Sequence, residues 1–102
     1  SVPEHANKLS RRQRNFPITP RIELTPDEKE EFYILSITST DTPGLLYKVA
    51  RILASYKISI HSAKISTLGE KVEDVFLVKK KSLLTENETI KIETDLMRNL
   101  ST

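Results

Sequence analysis

The residues best suited to chemistry lie together in the stretch DTPGLL, Asp41–Leu46, between an alternating apolar run and an amphipathic segment. A turn of this kind at the start of a helix leaves the N–H groups of Gly44, Leu45 and Leu46 without intrahelical acceptors, where the helix dipole favours negative charge. The Asp41 carboxylate beside them can hold an ammonium group through a charge-assisted hydrogen bond. One turn therefore offers partners for both charges of an amino-acid zwitterion, although a simple helix start is the more common role of such a stretch.

The rest of the chain holds few of the residues that catalysis needs. Neither His5 nor His61 has a second ligand at metal-binding spacing, there is no cysteine, and the EF-hand, P-loop and dinucleotide-binding fingerprints do not occur. Asp74 lies inside a predicted strand and could be a functional carboxylate, although a salt bridge or an edge position is the more common role. We therefore expect no catalytic residue, no metal and no cofactor in this chain.

Length and composition predict one small domain. The 102 residues include 37% apolar and 29% charged side chains, and no apolar run approaches the roughly 20 residues that span a bilayer. The first ten residues have neither a Met nor a basic stretch followed by an apolar core, which predicts a piece of a longer protein without a signal peptide. The absence of cysteine fits the cytoplasm, where we expect the protein.

Basic side chains concentrate at the N-terminus. Residues 1–21 hold five of them against one acidic residue, although the net charge of the whole chain is only +2. Such a stretch can bind nucleic acid, but neither aromatic stacking positions nor a helical basic stripe accompanies it. We therefore predict a linker or tail over residues 1–19, one domain over residues 20–102 and no membrane partner, and a solvated linker is a more common role for the tail than nucleic-acid binding.

Two strands and a helix open the predicted domain. The segments RIEL and FYILSITS alternate apolar and polar residues around the loop TPDEKEE, so we expect an antiparallel hairpin. In the helix that follows, Pro43 suits the first turn, Asp41 or Thr42 can cap it, and Lys57 lies at the C-terminal end. The predicted apolar stripe of this helix comprises Leu45, Leu46, Val49, Ile52, Leu53 and Tyr56.

Two further strands and a second helix complete the pattern. In the run ISIHSAKIST the apolar alternation changes between Ile60 and Ala63, which indicates either a β-bulge or a strand covered on both faces. A turn at Gly69 leads to VEDVFLVKK, whose two faces are both apolar, so a second copy should cover the face away from the helices. Thr85 and Glu88 fit a capping box at the start of the last helix.

The element order from residue 32 is β-α-β-β-α, one strand short of the ferredoxin-like unit. This order predicts an α+β fold with an antiparallel sheet and two helices on one face. Because the chain ends shortly after the second helix, we expect the RIEL strand to replace the usual last strand beside FYILSITS. Without it, FYILSITS would be an open edge.

A resemblance to the ACT domain family, a family of small amino-acid-sensing regulatory modules, extends over residues 33–78. It is carried by the motif D-x-P-G-L-L and by the stretch SAKISTLGEKVEDVFLV, which are similar to the C-terminal ACT domains of bifunctional uridylyltransferase/uridylyl-removing enzymes. The resemblance implies a regulatory part of a bacterial enzyme that modifies the nitrogen regulatory protein PII. Catalysis would lie in upstream nucleotidyltransferase and HD-type phosphohydrolase domains that depend on Mg²⁺ or Mn²⁺.

The resemblance also implies a ligand and its contacts. Glutamine or another small amino acid would bind at an interface with a second ACT domain, either a tandem neighbour in the parent enzyme or a second copy of this chain. The implied contact residues are Ser39, Asp41, Thr42, Pro43, Gly44, Leu45, Leu46 and Ser59. Two other functions stay open: a structural module that pairs with another ACT domain without a metabolite, and a nucleic-acid-binding module that uses the basic tail.

Overall fold

Six elements follow one another along the residues that the computed structural model describes, 18–29 and 31–100. They are β1 Arg21–Pro26, β2 Tyr33–Thr40, α1 Leu45–Ser55, β3 Ser59–Leu68, β4 Lys71–Lys79 and α2 Glu86–Leu100. The strands form one antiparallel sheet in the order β1-β2-β4-β3, and both helices pack on one of its faces. The ferredoxin-like α+β prediction is confirmed. The predicted linker lies outside the described residues, except for residues 18 and 19.

The N-terminal strand occupies the edge that the usual last strand would fill. In the β1–β2 hairpin, Leu24 lies opposite Leu35 and Ile22 lies opposite Ile37, as predicted for the RIEL segment. The backbone N–H of Leu24 donates to Oε2 of Glu93 on α2 at 2.9 Å. The side chain of Glu93 therefore provides a hydrogen-bond acceptor for one backbone N–H of this edge strand and connects β1 to the helix layer.

A single apolar core lies between the sheet and the helices. Its largest fully buried apolar side chains are Phe76 on β4, Leu35 and Ile37 on β2, Leu53 and Val49 on α1, Ile92 and Leu96 on α2, and Val78 on β4. Only alternate residues of β2 and β4 reach this core, because successive side chains of a strand point to opposite faces. Val75 on the other face is 44% exposed, so the second apolar face is present and uncovered in the single chain.

The first helix begins later than the sequence predicted. Gly44 is its N-cap residue, with a left-handed backbone at φ +76°, and none of the side chains that the structure describes caps the helix. The carbonyl of Thr42 accepts the N–H of Leu45 at 3.2 Å in a turn that precedes the helix, so Pro43 lies outside the first helical turn. The expected caps, Asp41 and Thr42, are therefore wrong, because this turn moves the cap position on to Gly44.

The apolar stripe of α1 is narrower than predicted. Leu45, Val49 and Leu53 are buried, and Ile52 packs partly against them, whereas Leu46 is exposed. Adjacent residues of an α-helix point about 100° apart, so Leu45 and Leu46 cannot both face the sheet.

The C-terminus of α1 is a Schellman motif. The N–H of Lys57 donates to the carbonyl of Ala54 at 2.9 Å, and the N–H of Ile58 donates to the carbonyl of Leu53 at 2.9 Å. Lys57 consequently has a left-handed backbone at φ 61°, a position where glycine is usual. The Cβ of any other residue makes this conformation unfavourable by about 1–2 kcal/mol.

We expect Lys57→Gly to stabilise the domain by about 0.5–1 kcal/mol, because glycine adopts the left-handed conformation without a Cβ clash but gains freedom in the unfolded chain. Thermal unfolding measures the change. Lys57→Ala is the matched control: it removes the charged side chain, keeps the Cβ, and should leave the midpoint nearly unchanged. An equal gain in both variants would attribute the effect to the lysine charge instead.

The second helix starts with the predicted capping box. The N–H of Glu88 donates to Oγ1 of Thr85 at 3.1 Å, and the N–H of Thr85 donates to Oε1 of Glu88 at 2.9 Å. The bond from the Thr85 backbone holds the pKa of the Glu88 carboxyl below its usual range.

Farther along α2, Asp95 accepts a hydrogen bond from the hydroxyl of Tyr56 and joins the two helices. Neither helix among residues 18–29 and 31–100 is long and apolar enough to cross a membrane.

The third strand is a long edge with a bulge. Its pairing with β4 shifts between Ile60 and Ser62, where His61 is the extra residue, so the bulge explains the change of alternation in the sequence. After the bulge, Ile65 and Leu68 are exposed. Since β3 pairs with β4 alone, its other edge offers unpaired backbone groups along the described part of the chain.

Candidate ligand-binding site

A cavity of about 240 Å³ opens where β2 ends and α1 begins. Its walls are Asp41, Thr42, Gly44, Leu45, Leu46 and Tyr47 from the turn and the helix start, Ile65 and Thr67 from β3, and Val72 and Asp74 from β4. Pockets for drug-sized molecules measure about 300–1,000 Å³, so this one suits a smaller molecule such as a single amino acid. Among the described residues, no group of three or more side chains could hold a metal ion.

The structure brings most of the predicted contact residues together. Those that line the cavity are Asp41, Thr42, Gly44, Leu45 and Leu46, and Pro43 lies in the same turn without lining it. Ser39 is buried in the sheet, and its hydroxyl donates to the carbonyl of Thr40 at 3.3 Å. Ser59 is about 20 Å along β3 from the cavity residue Ile65, and its hydroxyl donates to the carbonyl of Lys79 at 3.4 Å. The single chain does not bring Ser59 to the cavity.

The backbone holds the turn in place. The N–H of Asp41 donates to the carbonyl of Glu70 at 2.7 Å, which joins the turn to the loop between β3 and β4. A Cβ on Gly44 would meet no atom within 4 Å, so glycine is needed there for its left-handed backbone and not for space. Asp41 is exposed and lines the cavity, so its carboxylate lies at the rim.

Two backbone amides at the start of α1 have no acceptor among the described residues. The first helical bond runs from the N–H of Lys48 to the carbonyl of Gly44 at 2.9 Å, so the N–H groups of Leu46 and Tyr47 precede the intrahelical bonds. No described side chain caps them. With the positive end of the helix dipole, they can bind a carboxylate. The sequence also predicted that the N–H of Leu45 would be free to bind a ligand. This group instead donates to the carbonyl of Thr42 within the turn.

Asp74 is a cavity residue that the sequence interpretation did not assign to the site. It is 2% exposed and lies between Ile37 on β2 and Ile65 on β3, on the face of β4 that carries Phe76. The expected salt bridge or edge position is wrong, because β4 is a central strand and no cation among the described residues pairs with Asp74. The signal in the sequence was a single acidic residue on an otherwise apolar face of VEDVFLV.

The carboxyl of Asp74 is incompletely bonded. Within the described residues its Oδ1 has no hydrogen-bond partner, and an unpaired buried polar atom costs about 1–3 kcal/mol. Burial raises the pKa of the Asp74 carboxyl above its usual range, a bond from the Ser66 backbone opposes this rise, and the charge of Asp41 adds to it. Buried unpaired groups with a shifted pKa concentrate at functional sites, so Asp74 belongs to the candidate site.

Known proteins match this chain over the cavity residues. The family profile described as the ACT domain matches residues 33–92, which include every residue that lines the cavity. A protein of Burkholderia orbicola named bifunctional uridylyltransferase/uridylyl-removing enzyme is 48% identical to this chain over 102 residues, or 99% of this chain. A protein of the same name from Cupriavidus metallidurans is 50% identical over 95 residues, or 92% of this chain. The chain spans only 12% and 11% of the length of these relatives.

A solved structure supports the fold. The crystal structure of an unknown protein from Galdieria sulphuraria matches with a TM-score of 0.55 at 13% sequence identity. The match covers 69% of this chain and 38% of the other. At this level of identity, the likeness concerns the arrangement of strands and helices alone.

Proposed function

The chain belongs to the ACT domain family, and on this premise we propose that it is a glutamine-sensing regulatory module of a larger enzyme that uridylylates and deuridylylates the nitrogen regulatory protein PII. The identity to enzymes named for these two activities supports the parent enzyme, of which the matched region is a small share. The observation that carries the sensing role is the cavity at the start of α1, which presents a carboxylate and free amides together. Catalysis, with its Mg²⁺ or Mn²⁺ ion, would be carried out by that parent enzyme. The parent enzyme would be located in the cytoplasm.

The chemistry of the cavity suits an amino acid in its zwitterionic form. The ligand carboxylate would accept hydrogen bonds from the N–H groups of Leu46 and Tyr47, and its ammonium would bind the carboxylate of Asp41. The side chain of the ligand would then extend along Ile65 and Thr67 toward the open edge of β3. A neighbouring ACT domain at this edge would close the site.

Regulation requires that the ligand distinguish two arrangements of the parent enzyme. A ligand that bound both arrangements equally would shift nothing, whatever its affinity. Since β3 is open beside the cavity, a ligand held there would contact whichever domain lies against that edge. Glutamine would thereby favour one domain pairing and change the balance of the two catalytic activities.

A titration tests the sensing role. We expect glutamine to raise the thermal unfolding midpoint of this chain, whereas other amino acids should do so less, since a ligand at 100 times its Kd stabilises the folded state by about 2.7 kcal/mol. Calorimetry on this chain, alone and joined to a neighbouring ACT domain, gives the affinity. If no amino acid changes the midpoint or gives a binding heat in either form, the sensing role is wrong.

We expect Asp41→Ala to weaken glutamine binding about tenfold or more without unfolding the domain, because the residue is exposed in a turn and supplies one charged hydrogen bond. Glu70→Ala is the matched control: it removes a neighbouring carboxylate that does not line the cavity, and it leaves the backbone bond to Asp41 in place. Calorimetric titration measures both variants. Equal dissociation constants for Asp41→Ala and the unmodified chain would remove Asp41 from the site.

A structural pairing module that binds no metabolite is the second candidate, favoured by the uncovered sheet face around Val75 and the open edge of β3. We expect a second copy of this chain to cover that face, so sedimentation should show a dimer. Val75→Lys should shift it to monomer, because a charge would be buried in the interface. Leu83→Lys is the control: this residue lies outside the sheet, so its substitution should leave the dimer intact. A monomer at all concentrations would contradict the pairing, and a dimer that ignores every amino acid would favour the structural candidate.

A further inference from the structure

We infer that Asp74 is a second ligand-binding residue of this cavity, and that it selects an α-amino acid over the same molecule without its α-ammonium group. The inference rests on the proposed function, because it assigns a role to one more residue at the same site. It goes beyond that function by naming the group that discriminates between related ligands. It begins from the position of Asp74 in the sheet.

Apart from the Ser66 backbone group that bonds the Asp74 carboxyl, the surroundings of this residue leave only the cavity as a source of a partner for its Oδ1. Ile37 and Ile65 flank it on the two neighbouring strands, and Val72 and Phe76 precede and follow it on the same face of β4. None of these side chains can form a hydrogen bond. The unpaired Oδ1 of Asp74 therefore lacks a partner in the described protein, and the residue lines the cavity. A molecule that enters the cavity can supply the missing bond.

The charges around the cavity indicate which group would do so. Asp41 at the rim and Asp74 at the base are both acidic, and no Lys, Arg or His is present among the residues that line the cavity. The charge of Asp41 makes ionisation of Asp74 less favourable, as the raised pKa of Asp74 reflects after the larger contribution from burial. An ammonium group between the two carboxyls would replace this repulsion by two attractive contacts and would complete the bonding of Oδ1.

The same arrangement would reject a ligand without an ammonium group. Such a ligand could still place its carboxylate on the amides of Leu46 and Tyr47, but it would gain neither the bond to Oδ1 of Asp74 nor the bond to Asp41 that an ammonium group makes. Sites built to bond a particular polar group reject analogues that lack it far more strongly than apolar pockets reject a change of size. Asp74 is therefore placed to make the site respond to amino acids and not to their deaminated relatives.

The test compares two ligands on four forms of the 102-residue chain. The ligands are glutamine and glutaramate, which is glutamine with hydrogen in place of the α-ammonium group. The forms are the unmodified chain, Asp74→Asn, Asp74→Leu and the control Glu73→Gln, which removes a carboxylate from the exposed face of the same strand. Circular dichroism and thermal unfolding establish that each form is folded, and calorimetry gives the dissociation constants.

We expect the unmodified chain and Glu73→Gln to bind glutamine at least about tenfold more tightly than glutaramate. Asp74→Asn should lose that preference by weakening glutamine binding while glutaramate binding stays nearly the same. Asp74→Leu should lose it as well and should unfold at a higher temperature without ligand, because an apolar side chain replaces the unpaired carboxyl. If Asp74→Asn does not fold, Asp74→Leu decides the result.

Proton release provides a readout that a purely structural role would not affect. A bound ammonium favours the ionised form of Asp74, so at acidic pH, where part of this carboxyl is protonated, binding should release a proton, and the calorimetric heat should vary with the ionisation enthalpy of the buffer. This variation should disappear in Asp74→Asn. Glutamine binding with unchanged affinity and preference in both Asp74 variants would overturn the inference and leave the proposed function intact. Absence of any amino-acid binding to the unmodified chain would overturn both.

Discussion

Removing residues 1–24 is expected to unfold the domain or to make it aggregate. The deletion takes away Leu24, which is 4% exposed, and a buried leucine contributes about 1.5–3 kcal/mol before the backbone bonds of the strand are counted. It also exposes the edge of β2 and removes the backbone N–H that donates a hydrogen bond to Glu93. A domain of this length has a total stability of only about 4–12 kcal/mol, so the loss is a large fraction of it.

Removing residues 1–15 is the control for this deletion, and it should be nearly neutral because the whole β1–β2 hairpin remains. Chemical denaturation measures the free energy of unfolding of both shortened chains, and amide exchange reports on the protection of β2. The expected result is a lower free energy and lost protection in β2 for the longer deletion alone. A soluble domain without residues 1–24 whose β2 amides keep their protection would show that β1 is dispensable.

The second large effect is expected for Leu96→Ala, which should destabilise the domain by about 2–5 kcal/mol. Leu96 on α2 is 0% exposed and belongs to the core between the helices and the sheet, so the shortened side chain leaves a cavity. Leu83→Ala is the same substitution at a residue that is 72% exposed, and it should change stability by about 0.5 kcal/mol or less. Thermal unfolding should show a decrease of at least about 8 °C for Leu96→Ala only.

The same pair of variants separates the core from the candidate site. Leu96 does not line the cavity at the start of α1, so saturating glutamine should raise the unfolding midpoint of Leu96→Ala about as much as that of the unmodified chain. A normal ligand response in the destabilised variant would confirm that the site is formed by the turn and the sheet. Equal destabilisation by Leu83→Ala would instead contradict the assignment of the core.

Three departures from regular local structure lie at the cavity. Gly44 has a left-handed backbone, the amides of Leu46 and Tyr47 are uncapped, and Oδ1 of Asp74 is unpaired. The start of α2 is different, because Thr85 and Glu88 exchange two hydrogen bonds that cap this helix. Proteins depart from local structural rules mainly where function requires it, and here three departures surround one small cavity, whereas the left-handed Lys57 lies at the other end of α1.

The sequence by itself determined the elements whose cause is local. The alternation of the RIEL segment predicted its pairing with β2, and the spacing of Thr85 and Glu88 predicted the capping box. The change of alternation near His61 predicted either a bulge or a strand covered on both faces, and the structure has the bulge. Each of these depends on residues a few positions apart or on the period of a strand or helix. The element order then predicted the fold, because few arrangements of β-α-β-β-α bury one face of every element.

Only the tertiary structure decided where the first helix starts and what the cavity contains. The bond from Asp41 to the carbonyl of Glu70 connects two loops that are distant in the sequence, and the turn that it holds moves the helix cap to Gly44. Asp74 is buried because strands flank it on both sides, and its Oδ1 has no partner among the described residues, while Ser59 is about 20 Å along β3 from the cavity because this strand is extended. These properties depend on distances between separate elements, and the pattern of residues within any one element does not encode such distances.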